Sequence, residues 1–202
     1  IQLMRKSGFT QVYIGIEAAS PEGLKLYGKK ATPADNERSM KLFRENDIDV
    51  QTGFIIINPF STPKTSYENF KFLKENRISS FDNYTRRSWI LYKTELYNEC
   101  KSAGLLLDNY SYKNPMAYKF VDSYVTEVVK FLSKTLNTSR LDVEFTNYFD
   151  VHTMVYSLKA LYPEYIAPYE AQLVVLESKM FEVQVEFFSL LYEKYNISEA
   201  TK

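Results

Sequence analysis

QVYIGIE at residues 11–17 and QTGFIIINP at residues 51–59 decide the fold. Each is a short, nearly all-apolar run closed by a polar residue or by Asn-Pro, the pattern of a parallel strand covered on both faces. Between them, residues 20–46 (SPEGLKLYGKKATPADNERSMKLFREN) read as a crossover helix with a loop before it. That order is a βαβ unit. Ligands in parallel α/β folds bind outside the carboxyl ends of the strands, so Glu17 and Asn58 fall where chemistry is built.

Working outward, residues 1–8 read as a helix end with Gly8 as its cap. Ser20-Pro21 and Thr32-Pro33 are helix starts, a hydroxyl N-cap followed by proline at the first helical position. The second strand is expected over Val50–Ile57, and Asn58-Pro59 halts it. Thr62-Pro63 or Thr65 opens the next helix, with Tyr67, Phe70 and Leu73 as its apolar stripe. Residues 84–92 (YTRRSWILY) read as a third strand, which would make three parallel strands with right-handed crossovers. Thr94–Gly104 reads as a short helix and Leu105–Pro115 as a loop. Three longer helices follow, from Asn114-Pro115, from Leu141 to Leu161 and from Tyr169 to Tyr195. The expected organisation is α/β over residues 1–110 and a helical C-terminal extension over 111–202.

The 25 basic and 25 acidic side chains cancel, so no net field favours nucleic acid or an anionic membrane. One cysteine, Cys100, excludes a disulfide framework or an internal cysteine cluster. No apolar run reaches the length of a transmembrane helix. The opening IQLMRKSGF reads as an amphipathic helix tail rather than a signal peptide, so the cytoplasm is the expected compartment.

The motifs resemble the second half of a radical S-adenosylmethionine (radical SAM) enzyme barrel, in the subgroup of cobalamin-binding and methylthiotransferase-like members. Tyr13-Ile14-Gly15-Ile16-Glu17 is similar to that family's "v-x-i-G-i-E" strand. Leu24, Lys29 and Thr32 fit the spacing that follows, and Gly53-Phe54-Ile55, Pro59 and Thr62 fit the next strand. Thr94-Glu95-Leu96-Tyr97 and Lys101–Leu106 resemble the family's closing segment. The likeness runs from residue 1 to about 107.

This resemblance implies a partial (β/α)6, TIM-like barrel with these strands as its fourth to sixth. It implies S-adenosylmethionine and a 4Fe-4S cluster as cofactors of the full protein, with cobalamin a further cofactor in this subgroup. It implies reductive cleavage of S-adenosylmethionine and hydrogen abstraction from an unknown substrate. The family's CxxxCxxC cluster loop is absent, so a C-terminal fragment, inert alone, is the expectation, with the other barrel half as its partner. A bared sheet edge would also invite self-association.

By the same resemblance Glu17 meets the cofactor's ribose or amino group, and Lys29 its carboxylate. Gly53 and Ile55 match the strand that lines the adenine pocket, where backbone approach and an apolar side chain suit a flat ring, and Gly15 and Asn58 complete the cofactor-binding set. Tyr92 would line the substrate side. The family often has glycine where Ile57 stands and glutamate where Ser61 stands.

Each residue also has a plainer reading. Glu17 can cap the next helix, Lys29-Lys30 can be a solvated pair, and Asn58-Pro59 can be turn chemistry. Arg86-Arg87 does not make a basic surface in a neutral chain. His152, alone in an aromatic-rich helix, reads as structural, and Cys100 as a buried hydrophobe. The alternative function is a non-catalytic interaction module on a degenerate βα scaffold.

Overall fold

The computed structural model describes residues 1–136 and 139–199, with side chains described at 1–136 and 146–193. Helix α1 (Gln2–Lys6) leads through Gly8, at φ +90, into β1 (Gln11–Glu17). Helices α2 (Pro21–Leu26) and α3 (Pro33–Glu45) cross over to β2 (Asp49–Phe54), which pairs with β1 in parallel. Both helix starts behave as their sequences ask: Ser20 Oγ accepts from Gly23 N at 3.1 Å, and Thr32 forms a reciprocal capping box with Asp35. Thr62 does the same with Thr65 at the head of α4 (Pro63–Glu75).

The third expected strand is the main correction. Residues 81–85 form a short helix instead, α5 (Phe81–Thr85), and only Arg87 keeps a parallel bridge, to Ile57. Among the described residues the named sheet therefore has two strands. Asn83 supplies the physical reason. Its Oδ1 accepts from Phe54 N at 3.1 Å and its Nδ2 donates to Thr52 Oγ1 at 2.8 Å. A side-chain amide thus meets Phe54 N, a strand-edge group that a third strand would have paired, and is fixed by the Thr52 hydroxyl. Beyond it the chain is extended: Ser88 N donates to Ile57 O at 3.0 Å, and Tyr118 Oη to Ser88 O at 3.0 Å.

Two helix starts also differ from expectation. After α6 (Glu95–Ser102), residues 105–119 form a turn-rich segment with an antiparallel bridge between Leu106 and Tyr118. Asn114-Pro115 sits inside it. Helix α7 (Ser123–Leu136) starts later, where Asp122 Oδ1 accepts from Tyr124 N and Val125 N at 2.8 and 3.1 Å. Helix α8 (Ser139–Lys159) precedes α9 (Pro163–Glu199), which begins at a proline in the favoured first position and takes Pro168 inside it. Residues 137–138 and 200–202 of the expected extension lie outside the described residues.

One face of the sheet is dry. Ile14, Ile16, Val50 and Phe54 join Met40 of α3 and Phe70, Phe72 and Leu73 of α4 in one core. Val125, Val128, Val129 and Leu132 of α7 and Phe188 and Tyr192 of α9 complete that same core. The Tyr84 ring stacks on Phe188 at 5.1 Å, which ties α5 to α9. On the opposite sheet face Tyr13 is 64% exposed and lies across Gly53.

Candidate functional site

The site begins with a bulge. Gly15 pairs with Gly53 but Glu17 pairs with Phe54, so Ile16 is an extra residue on β1. Glu17 takes a left-handed φ of +64, a conformation that costs a residue with a side chain about 1–2 kcal/mol. Bulges of this kind re-aim a side chain at a strand end. Here the strained turn is held from three sides. Ile55 N donates to Glu17 O at 2.9 Å. Asn36 Nδ2 donates to Ile16 O at 3.1 Å, and Asn69 joins Ala19 N at 3.1 Å to Ile56 O at 3.0 Å.

Three of the expected residues meet directly. Lys29 Nζ lies 3.3 Å from Glu17 Oε1 and donates to Gly15 O at 3.3 Å. The carboxylate folds back over Gly15 so closely that a Cβ there would sit 2.5 Å from Glu17 Oε1 and 3.0 Å from Lys29 Nζ. Gly15 is therefore glycine for the space that the pair needs. The pair is half-exposed and presents acceptor and donor together, able to meet hydroxyl, ammonium or carboxylate groups of a ligand.

The remaining residues are spread around this pair. Gly53 is the register partner of Gly15, and a Cβ on it would lie 2.2 Å from the Tyr13 hydroxyl. That hydroxyl accepts from Arg86, which is paired in turn with Asp82. Ile55 extends the ladder by its bond to Glu17. Asn58 shapes the loop beyond β2: its Oδ1 accepts from Phe60 N at 2.8 Å and its N donates to Ser61 Oγ at 2.9 Å. It lines a small cleft with Ser20, Thr65, Asn69 and Glu99. Tyr92 stands in a turn rather than at a strand end. It is 64% exposed, packed edge-on against Tyr97 at 4.9 Å and beside Lys93.

The sequence reading missed Asn36, Asn69 and Asn83. All three are buried and each bonds to a strand-end backbone group. A signal existed for two of them. Asn36 stands four residues before buried Met40, and Asn69 four before buried Leu73, so an amide interrupts each apolar stripe.

The residues present do not fit an iron–sulfur cluster. Cys100 is fully buried between Ile90, Leu96 and Tyr118, and burial, helped by Glu99, pushes its thiol up to about 11. Among the described residues no group of three His, Cys, Asp or Glu side chains could hold a metal ion.

This arrangement, a parallel strand pair with crossover helices on one face and a helical tail packed into the same core, is similar in fold to part of a cobalamin-dependent radical SAM enzyme. The solved structure of such an enzyme, OxsB with aqua-cobalamin and S-adenosylmethionine bound, matches 98% of this chain at a TM-score of 0.58 and 14% identity. A second OxsB structure, with aqua-cobalamin, matches 100% of the chain at 0.53 and 16%. Each match uses 39% of the OxsB chain and takes in the helical tail, beyond the reach of the sequence motifs. The sequence itself is similar to the anaerobic magnesium-protoporphyrin IX monomethyl ester cyclases of Cereibacter sphaeroides, 31% identical over 71 residues, and of Rubrivivax gelatinosus, 31% over 75 residues. Those stretches are 35% and 37% of this chain and 12% and 14% of the cyclases. The chain thus spans a small part of the relatives it matches. No family model matches it. The resemblance to radical SAM enzymes read from the motifs is borne out, in a manner consistent with a C-terminal portion. Among the described residues no helix is long and apolar enough to cross a membrane.

Proposed function

We propose that the chain is the cofactor-lining C-terminal portion of a radical SAM oxidoreductase, with residues 1–110 as the second half of a partial (β/α)6 barrel and 111–202 as a helical extension. The observation that carries this reading is the Glu17–Lys29 pair, folded over Gly15 at the carboxyl end of a parallel strand. In this reading Glu17 accepts from the ribose or amino group of S-adenosylmethionine, and Lys29 meets its carboxylate. Gly15 leaves room for the Glu17–Lys29 pair, Gly53 leaves room for the Tyr13 ring beside the cofactor, Ile55 offers an apolar contact, and Asn58 closes the loop beside it. Tyr92 faces the substrate. When bound, S-adenosylmethionine would supply a sulfonium open to one-electron reductive cleavage, at a 4Fe-4S cluster that the N-terminal half of the barrel would hold. A cobalamin domain in that half is part of the proposal, since the matched OxsB structures are of a cobalamin-dependent enzyme. The 202-residue chain alone is inert.

The test is 5′-deoxyadenosine release by the natural full-length protein, reconstituted anaerobically with iron and sulfide under a strong reductant. Release that depends on the cluster and falls in Glu17→Ala supports the reading. A well-folded full-length protein that binds no cluster and releases nothing would sink it and leave a non-catalytic interaction module.

A further inference from the structure

At the other end of the strands lies a polar cluster that the cofactor reading does not use. Gln11 opens β1, Asp49 opens β2, and the register sets them side by side. Over this edge α8 lays Tyr148, His152 and Tyr156, spaced four apart and so on one helix face. Their rings touch in series, at 5.8 and 4.7 Å between centroids. Helix α9 adds Glu177. His152 Nε2 lies 3.2 Å from Glu177 Oε1 and 3.6 Å from Asp49 Oδ2, while Nδ1 lies 3.3 Å from the Gln11 amide. The His152, Asp49 and Glu177 side chains are 11%, 19% and 21% exposed.

Two carboxylates therefore face one ring nitrogen in a largely dry space. A neutral ring can give its Nε2 hydrogen to one of them and brings no charge to offset either, which is costly away from water. A charged ring places one cation between two anions. The Gln11 amide nitrogen lies 3.3 Å from Nδ1 and donates to Asp49 Oδ2 at 3.4 Å; turned over, the amide gives up the Asp49 bond and its oxygen accepts from a protonated Nδ1. Around the ring, the Tyr148 hydroxyl donates to Glu177 at 2.9 Å, and Arg44 of α3 stands near Asp49. Arg77, Asp82 and Arg86 line the far side of the adjoining cavity of about 470 Å³. One helical turn on, Lys159 joins Asp47 at 2.8 Å to Glu170 at 2.7 Å.

We propose that His152 is a protonation-gated clasp that docks the α8–α9 hairpin onto the N-terminal edge of the β1–β2 sheet, tight when its imidazole is charged. Its partners are this chain's own Asp49 and Glu177, so the clasp stands apart from the cofactor reading. Burial alone would lower the His152 pKa, but the Glu177 bond and the charges of Asp49 and Glu177 outweigh it and raise it above 6.5. A raised folded value means that the clasp is fully formed below the unfolded value and fades as pH rises through the folded one. Asp49 acts at the acid end: burial raises its pKa against the opposing His152 charge, so it takes up a proton earlier than an ordinary aspartate. The clasp is thus tightest between those two titrations. Each pKa unit separating folded from unfolded His152 is a tenfold change in the docking equilibrium.

His152 is the single histidine of the chain, so one imidazole NMR signal reports the titration. The wild-type midpoint should lie above that of an unperturbed histidine, and Glu177→Gln and Asp49→Asn should each lower it. Hydrogen exchange of α8 amides, compared between wild type and His152→Gln at each pH so that intrinsic rates cancel, should show lost protection near pH 6 and little difference by pH 8.5. If His152→Gln does not fold, Glu177→Gln carries the same comparison. A wild-type midpoint at or below 6.5, or a protection difference constant across pH, would overturn the clasp and leave His152 as a packing residue.

Discussion

Replacing Gly15 by alanine separates the two things that residue can do. The backbone there is extended, outside the positive-φ set, so alanine is allowed and should add up to about 1 kcal/mol by removing glycine's freedom in the unfolded chain. The new Cβ would lie 2.5 Å from Glu17 Oε1, about 1 Å inside an ordinary contact, so the carboxylate must swing away from Lys29. The pair it breaks is half-exposed, worth about 0–1 kcal/mol to the fold. The two terms nearly cancel, and the unfolding midpoint should move by no more than a few degrees. A ligand held by the carboxylate loses a charge-assisted hydrogen bond of about 1.5–3 kcal/mol, or roughly ten- to a hundredfold in affinity. The assay is S-adenosylmethionine binding to the natural full-length protein by calorimetry, beside thermal unfolding. Unchanged affinity in a folded Gly15→Ala protein would refute the placement of Glu17. A large fall in the unfolding midpoint would instead show that Gly15 serves the backbone.

Three further outcomes follow from the packing. Asn69→Leu strands a part-buried amide and a buried carbonyl beyond the strand ends, and should cost about 2–4 kcal/mol in urea unfolding; a loss under 1 kcal/mol would mean that other donors replace it. Phe188→Ala empties the ring site between Phe81, Tyr84 and Tyr192 and should cost about 3–5 kcal/mol. Because that ring belongs to the core shared with the sheet, the loss should appear in one transition seen alike by near- and far-ultraviolet circular dichroism. Cys100 should resist thiol reagents at pH 8 until urea is added, since its thiol is buried and titrates near 11; rapid labelling of the folded chain would contradict its place in the core.

The features legible in the sequence are those whose cause lies within a few residues. Ser20, Thr32 and Thr62 cap helices because a hydroxyl three residues ahead of an amide can reach it whatever the rest of the chain does. The β1–β2 pair follows from two apolar runs and one crossover. Lys29 and Glu17 could be assigned to one cofactor by resemblance, but their pairing comes from the bulge at Ile16 and the turn at φ +64, which fold the carboxylate over Gly15. Residues 84–92 carry strand composition, but the Asn83 side chain holds Phe54 N at the β2 edge in place of a third strand. Asn114-Pro115 has the chemistry of a helix start, yet Asp122 begins the helix because residues 105–119 fold back on themselves. His152 shows the same division: its type is written in the sequence, while its two carboxylate neighbours come from positions 49 and 177. Local hydrogen-bonding chemistry determined the elements; contacts between residues distant in sequence decided which polar groups meet, because only packing of the shared core sets those distances.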